Sequence, residues 1–350
     1  CRFAMSTSLL NSAARKKKLN NKFQQAYGLQ TSRWSRAPGR VDLMGSHTDY
    51  NMGYVMTMTT DRDTWVAARP RSDGRVRVRS LNVPGESLFH LDNIDHDAQV
   101  PWSNYVRGMA HVLKEAGYEL RGFDGLIHST VPFGSGLSSS AAIEMAIGVM
   151  FQQVSGFKLD PVEMALLGQK AENEFVGVKT GILDQYSSAM GQEGSALLLD
   201  CRDLTSDHVS IADGLCVVIC DTRAERNLVG SAYDDRRAEC EAGAAILQQQ
   251  DPTIKALRDV TIEQFEAIES KMPAVVARRC RFITEENQRV LDLGPALMSG
   301  DRATLSKLFE ASYRGACDLF EIGAPAMESM LNAMMDGPGV VGARQAGAGF

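Results

Sequence analysis

The chain has 350 residues, 44% of them hydrophobic and 23% charged, with a formal net charge of −6. That is long enough for two packed domains and too apolar for a disordered chain. No apolar run reaches membrane-span length and the basic residues are dispersed, so neither a nucleic-acid nor a membrane partner is expected.

Seven cysteines are scattered without C-x-x-C spacing, which fits a reducing, cytoplasmic compartment. Cys216 and Cys220 fall in the apolar run L-C-V-V-I-C, where a thiol acts as a small hydrophobe in a strand. Six histidines show no ligand pairing, so no zinc site is expected.

The first 41 residues hold nine Lys or Arg and no acid. Such a stretch also reads as an organellar transit peptide. Leu19, Phe23 and Tyr27, however, recur at helical spacing and favour an amphipathic helix with a solvated basic face. Met5 is a plausible start. The segment 36–51 is dense in turn and charged residues and reads as a Pro/Gly-bent loop. Arg40, His47, Asp49 and Asn51 crowd it, as a polyol site would require; a solvated turn capped by Asp49 is the lesser alternative.

Strands are expected at 54–60, 64–69 and 75–80, with Ser72-Asp73-Gly74 as a hairpin turn between the last two. A helix follows over 103–117. Phe123 to Val131 alternates as a strand, and a helix-period run begins at Ala141. Between them lies V-P-F-G-S-G-L-S-S-S-A-A. This strand–turn–helix unit sets Ser138, Ser139 and Ser140 at a helix start, where free N–H groups and the macrodipole favour an anion. Gly134 and Gly136 allow close approach of phosphate oxygens, and hydroxyls can donate to phosphate or ligate Mg²⁺. A Gly-Ser turn with an N-cap serine is the bland alternative. A dinucleotide fingerprint fails because Ser139 stands where its third glycine belongs, and neither a Walker A nor a protein-kinase motif set is present.

A helix is expected near 161–175, carrying Glu172 near its end. In G-I-L-D-Q, the apolar Ile182 and Leu183 would partly bury Asp184, as suits a general base. Strands at 196–200 and 215–221 precede helical patterns at 230–249, 262–270, 273–300, 302–320 and 324–336. The division expected is an N-terminal extension 1–19, a domain 20–204 and a helix-rich domain 205–350. The closing glycine-rich run suggests that the natural chain continues past Phe350.

R-A-P-G-R-V-D-L-M-G-S-H-T-D-Y-N resembles the galactokinase signature, and V-P-F-G-S-G-L-S-S-S-A-A resembles the phosphate loop of the GHMP kinases. G-A-R-Q-A-G-A-G-F resembles the opening of their third motif. The segments A-E-N-E-F-V-G, G-I-L-D-Q-Y-S-S-A-M-G and L-V-G-S-A-Y-D-D-R-R-A-E-C-E are also similar. The resemblance implies an α+β, two-domain GHMP-kinase-like fold, with the active site in the cleft between a mixed-sheet N-terminal domain and a helix-rich α+β C-terminal domain. It implies ATP-dependent phosphorylation of a sugar's anomeric hydroxyl with Mg²⁺.

By that resemblance Asp184 would accept or orient the C1-hydroxyl proton, and Arg40 would hold it and offset phosphoryl charge. Ser140 with Glu172 would attend the metal, while Gly134, Ser135, Gly136, Leu137, Ser138 and Ser139 would wrap the phosphates. Ser46, His47, Asp49, Gly181 and Tyr233 match sugar-contacting positions, and Trp102 an aromatic near the adenine. Two positions depart from the pattern: Asp42 stands for the usual Asn, and Ser46 for a Glu that grips the exocyclic C6 hydroxyl. The second departure opens L-arabinose or galacturonate as alternatives, but H-T-D-Y-N keeps the galactokinase form, so galactose is the leading substrate. A non-catalytic sugar sensor is a further alternative, disfavoured by the intact serine loop and the Asp/Arg pair. A monomer or weak dimer is expected.

Overall fold

The computed structural model describes residues 5–224, 229–347 and 349. The chain divides into two compact units, each discontinuous. The first comprises residues 1–40, 59–133 and 137–190, and the second 41–58, 134–136 and 191–350. Contacts thus do not follow the contiguous halves expected from the sequence, because single elements cross the expected limits. One continuous helix, α1 (Met5–Tyr27), runs through the supposed extension boundary, and strands β1 (Arg33–Met44) and β2 (Tyr54–Pro70) each contribute to both units.

The first unit continues with β3 (Arg75–Ser80), β4 (Glu86–His90), α2 (Asn104–Glu115), β5 (Phe123–Ser129), α3 (Ser139–Ser155), α4 (Pro161–Lys170) and α5 (Leu183–Met190). Its sheet order is β4-β3-β5-β2. β3 and β5 pair in parallel, while β3–β4 and β2–β5 pair antiparallel, giving the mixed sheet expected. The predicted hairpin between β2 and β3 is not formed, since β5 lies between them. The Ser-Asp-Gly signal still works locally: the Asp73 carboxylate accepts from Arg71 and from the Arg75 amide. A turn signal specifies a reversal, not which strand becomes the neighbour.

Val66, Val76, Val78, Phe123 and Ile127 of this sheet pack with Met109, Val112, Met150 and Phe151 of α2 and α3 into one apolar core. On α1, Leu19 and Phe23 are buried against Ala67 and Leu126, while Lys16, Lys17 and Lys18 stay exposed, as the helical spacing predicts. Arg15 reaches the other way, hydrogen bonding to Asp63 and to His128 Nδ1.

In the second unit β6 (Ser195–Asp200) pairs with the start of β2 and with β7 (Thr205–Ser210). Five α-helices follow among the described residues: α6 (Val229–Gln250), α7 (Ile262–Glu266), α8 (Ala274–Ser299), α9 (Arg302–Asp318) and α10 (Pro325–Met335). Cys240, Leu257, Phe265, Phe282, Ile283 and Phe320 form its core. The strand expected at 215–221 is absent. Val218 is 65% exposed, and Cys216 and Cys220 are exposed rather than packed as small hydrophobes. A β-prone run becomes a strand only where a neighbour supplies hydrogen bonds, and none is provided among the described residues. No helix among the described residues is long and apolar enough to cross a membrane.

Candidate active site

The first unit carries candidate site residues on β1, at the head of α3 and at the start of α5. Residues 36–44 of the segment read as a bent loop belong to strand β1, Arg40 among them, while 46–51 form turns as expected. Gly39 makes this possible: a Cβ there would meet the Leu137 carbonyl oxygen at 2.6 Å and both Val131 methyls near 3.1 Å. The chain uses that closeness, because the Arg40 amide donates to Leu137 O at 3.2 Å. Pro38 carries no N–H, and its carbonyl accepts from Ser188 Oγ at 2.7 Å.

Arg40 then reaches Asp184 in the first turn of α5, its Nε at 2.8 Å and Nη2 at 2.5 Å from the same Oδ1. The guanidinium is 7% exposed and the carboxylate 22%, so the pair is screened yet open on the carboxylate side. Ile182 and Leu183 are buried beside it, as expected, and Gly181 is buried just before them.

Ser138 is the residue before α3 and adopts left-handed φ of 55°, a strained value for a side-chain-bearing residue. Its Oγ is buried, caps no amide and has no hydrogen-bond partner. An unpaired buried hydroxyl at a helix head fits an incoming phosphate oxygen. Ser139 and Ser140 follow in the first turn. Glu172 lies not on a regular helix but on a π-helical turn, Ala171–Val176, that continues α4. Its Oε2 accepts from Thr180 Oγ1 at 3.0 Å and Gln185 Nε2 at 2.7 Å. Burial pushes its carboxyl up, as does the nearby Asp184 charge, and hydrogen bonds from Ser140, Gln185 and Thr180 partly offset this. A hydroxyl and a carboxylate are hard oxygen donors, so the Ser140–Glu172 pair suits Mg²⁺, which takes few protein ligands alongside phosphates and water.

A pocket of about 260 Å³ is lined by Trp102, Tyr105, Thr64, Asn82, Ser139 and Ser140, among others. Trp102 donates from Nε1 to Pro84 O at 3.0 Å, and Asn82 pairs with both backbone groups of Ser129 at 2.8 and 2.9 Å. Fixed aromatic and aliphatic walls beside the serines match a flat heterocycle with its phosphates at the helix head.

The second unit carries the other residues. Gly134, Ser135 and Gly136 group with it, and Gly347 of the third glycine-rich segment packs near Gly136. Gly45, at φ of 100°, turns the chain where a Cβ would strike Tyr54 O at 2.7 Å. His47 Nδ1 is 2.9 Å from the Tyr50 hydroxyl, and its ring lies 5.2 Å from that of Tyr233. The Asp49 carboxylate accepts from the Tyr50 amide at 2.9 Å, and Asn51 Nδ2 donates to His47 O.

Ser46 is committed on two sides. It donates to Asp42 Oδ2 at 2.5 Å and accepts from Arg344 Nη2 at 2.7 Å. Arg344 lies 3.5 Å from Asp42 and 3.8 Å from Glu286, which also holds Arg289 at 2.7 Å. Complete burial raises the Glu286 carboxyl, but Arg289 and Arg344 outweigh it and keep it below the ordinary range. The sequence pattern missed this balanced cluster, along with Glu144 and Gln185 discussed below. An acidic residue on a helix ordinarily reads as solvated, and only tertiary partners reveal otherwise.

Fold and serine loop together are those of a GHMP kinase, and residues 104–192 match the family model described as the GHMP kinases N terminal domain. Residues 21–70 match the galactokinase galactose-binding signature. The chain is 43% identical over 332 residues to a galactokinase of Roseiflexus sp. (strain RS-1), covering 95% of this chain and 85% of that protein. It is 43% identical over 328 residues to one from Chloroflexus aggregans, covering 94% and 84%. The crystal structure of Lactococcus lactis galactokinase complexed with galactose superposes with a TM-score of 0.88 at 34% identity, covering 95% of this chain and 87% of that one. Methanococcus jannaschii mevalonate kinase, at 15% identity and a TM-score of 0.61 over 91% and 87% of the two chains, shares the fold. The chain belongs to the galactokinase family. The arabinose, galacturonate and sensor alternatives are not favoured by these likenesses.

Proposed function

We propose that this chain phosphorylates the anomeric hydroxyl of galactose, with ATP as donor, giving galactose 1-phosphate and ADP. The observation that carries the reading is the Arg40–Asp184 pair, two guanidinium nitrogens on one carboxylate oxygen, held against the backbone that leads into the serine loop. The sugar C1 oxygen attacks the γ-phosphorus, the bond to the β,γ-bridging oxygen breaks, and its electron pair leaves with ADP. Asp184 takes or orients the departing hydroxyl proton, and Arg40 both aims that carboxylate and offsets charge on the transferring group.

The backbone and hydroxyls of Gly134, Ser135, Gly136, Leu137, Ser138 and Ser139 hold phosphate oxygens. Trp102 flanks the adenine. Ser140 and Glu172 would hold Mg²⁺, which when bound would supply charge neutralisation for the donor phosphates. His47, Asp49, Gly181 and Tyr233 contact the sugar. Ser46 differs: already engaged by Asp42 and Arg344, it shapes the sugar pocket through those partners. The acid that the galactokinase pattern carries at position 46 is supplied here at position 42.

A coupled assay of ADP release with and without galactose tests the proposal. Galactose-dependent release, abolished in Asp184→Asn, is the expected result. Nucleotide binding without any galactose-stimulated release would overturn it.

A further inference from the structure

Ser140 and Glu144 sit one turn apart on the same face of α3. Glu144 is fully buried, a rare place for a glutamate without partners. Its Oε2 accepts from Gln185 Nε2 at 2.9 Å, and the same nitrogen donates to Glu172 Oε2 at 2.7 Å. An amide nitrogen carries two hydrogens, so both donations are made at once. Gln185 is also fully buried and follows Asp184 directly on α5. One amide therefore ties α3, the π-helical turn and the first turn of α5 together.

Resting on the roles given above to Asp184 and Glu172, we propose that Gln185, gripped by Glu144, is a positioning residue that fixes the metal-facing carboxylate of Glu172 relative to Asp184. Neither residue needs to touch substrate for this. The remaining oxygens, Glu144 Oε1 and Gln185 Oε1, are buried without partners, so the two donated hydrogen bonds alone orient the Gln185 amide, which joins Thr180 and Ser140 in holding Glu172. Leaving two polar atoms unpaired is costly in an interior, and is the kind of cost accepted where geometry matters to chemistry. Burial, with Glu172 nearby, also pushes the Glu144 carboxyl well up, so a neutral amide of the same shape is its closest substitute. Burial, and then the Glu172 and Glu144 charges, push the Tyr105 hydroxyl up to about 12.

The full chain and three variants, Glu144→Leu, Glu144→Gln and Gln185→Asn, test the proposal. Mn²⁺ binding in the presence of a non-hydrolysable ATP analogue is read by electron paramagnetic resonance. Galactose-dependent ADP release is then followed against free Mg²⁺. Partners behind a metal ligand typically control affinity by about 10- to 100-fold. Glu144→Leu and Gln185→Asn should each weaken Mn²⁺ binding and raise the Mg²⁺ midpoint by about tenfold, with kcat reduced and the KM for galactose held. Glu144→Gln should recover most of that loss, because its amide oxygen can still accept from Gln185.

Folded Leu and Asn variants that bind Mn²⁺ like the parent would overturn the proposal, as would Glu144→Gln matching Glu144→Leu in its loss. If Glu144→Leu does not fold, Gln185→Asn, too short to bridge both acids, decides alone. A parent protein that binds Mn²⁺ and nucleotide but never turns over galactose would defeat the kinase reading instead.

Discussion

Replacing Ser46 by glutamate restores the residue common at that position in the galactokinase pattern, yet the structure predicts that the single change is harmful. Ser46 and Asp42 are each 3% exposed, and the buried charges already balance: Asp42 and Glu286 against Arg344 and Arg289, with the partly exposed Glu285 also on Arg289. A new carboxylate would sit roughly 4 Å from that of Asp42, a repulsion of about 4 kcal/mol at an effective dielectric constant of about 20. Attraction to Arg344 offsets part of this, but burying a third anion still costs several kcal/mol before relaxation.

The expected net loss for Ser46→Glu is about 2–4 kcal/mol of stability, together with weaker galactose binding. Adding Asp42→Asn removes the competing charge and should return most of it. The coupling between the two changes, measured by urea unfolding of the parent, both single variants and the double variant at neutral pH, should be about 2–3 kcal/mol in favour of the double. Crowding by the longer side chain is common to the single and double variants, so the cycle isolates charge. Coupling below about 0.5 kcal/mol, the ordinary additivity error, would refute the idea that the acid has moved from position 46 to position 42.

Asp184→Asn should lower kcat by about 10²–10⁴ while galactose affinity, read by calorimetry, stays near that of the parent. Arg40→Lys replaces two donors from a planar fork with a point charge and should cost about 10²-fold in kcat/KM in the ADP-release assay. Gly39→Ala drives a methyl into the Leu137 carbonyl, so the KM for ATP should rise and the melting midpoint fall, reflecting about 1–3 kcal/mol of overpacking. His128 is held neutral, its pKa pushed down to about 4 by burial first and then by Arg15 and Lys18. From the unfolded value of about 6.5 down to that point, the unfolded chain binds the extra proton, so stability drains away as pH drops through this window. The half-buried ring limits the effect to about 1–2 kcal/mol between pH 7 and 4.5, and His128→Gln should flatten that slope in denaturation experiments.

The serine loop was readable because hydrophobic periodicity switches there from two to 3.6 residues, a local signal that needs no partner. The helices of the second unit were readable for the same reason. The pairing of Arg40 with Asp184, 144 residues apart, has no local signal at all and came only through motif resemblance. β1 was misread because Pro38 and Gly39 are turn residues by propensity. Here the glycine serves close packing against Leu137, and the proline contributes its carbonyl, which accepts from Ser188 Oγ. The run at 215–221 erred in the opposite sense, since its composition favours a strand but no neighbouring strand pairs with it among the described residues. Glu144 and Gln185 stayed hidden because a polar residue on a helix announces solvent until its burial is known.

The π-helical turn that carries Glu172 makes this stretch intolerant of length variation. Its wider winding absorbs one extra residue, and removing any one of positions 171–176 would let ordinary α-helical winding resume. Each residue lost from a helix rotates what lies beyond it by about 100°. A loss at position 171 would therefore swing the Glu172 carboxylate off the serine hydroxyl and the glutamine amide, and a loss at 173–176 would displace Thr180, whose hydroxyl it accepts from. Natural insertions and deletions among related chains should therefore skip this hexapeptide, even where the exposed loop at Gly177–Lys179 just after it varies freely.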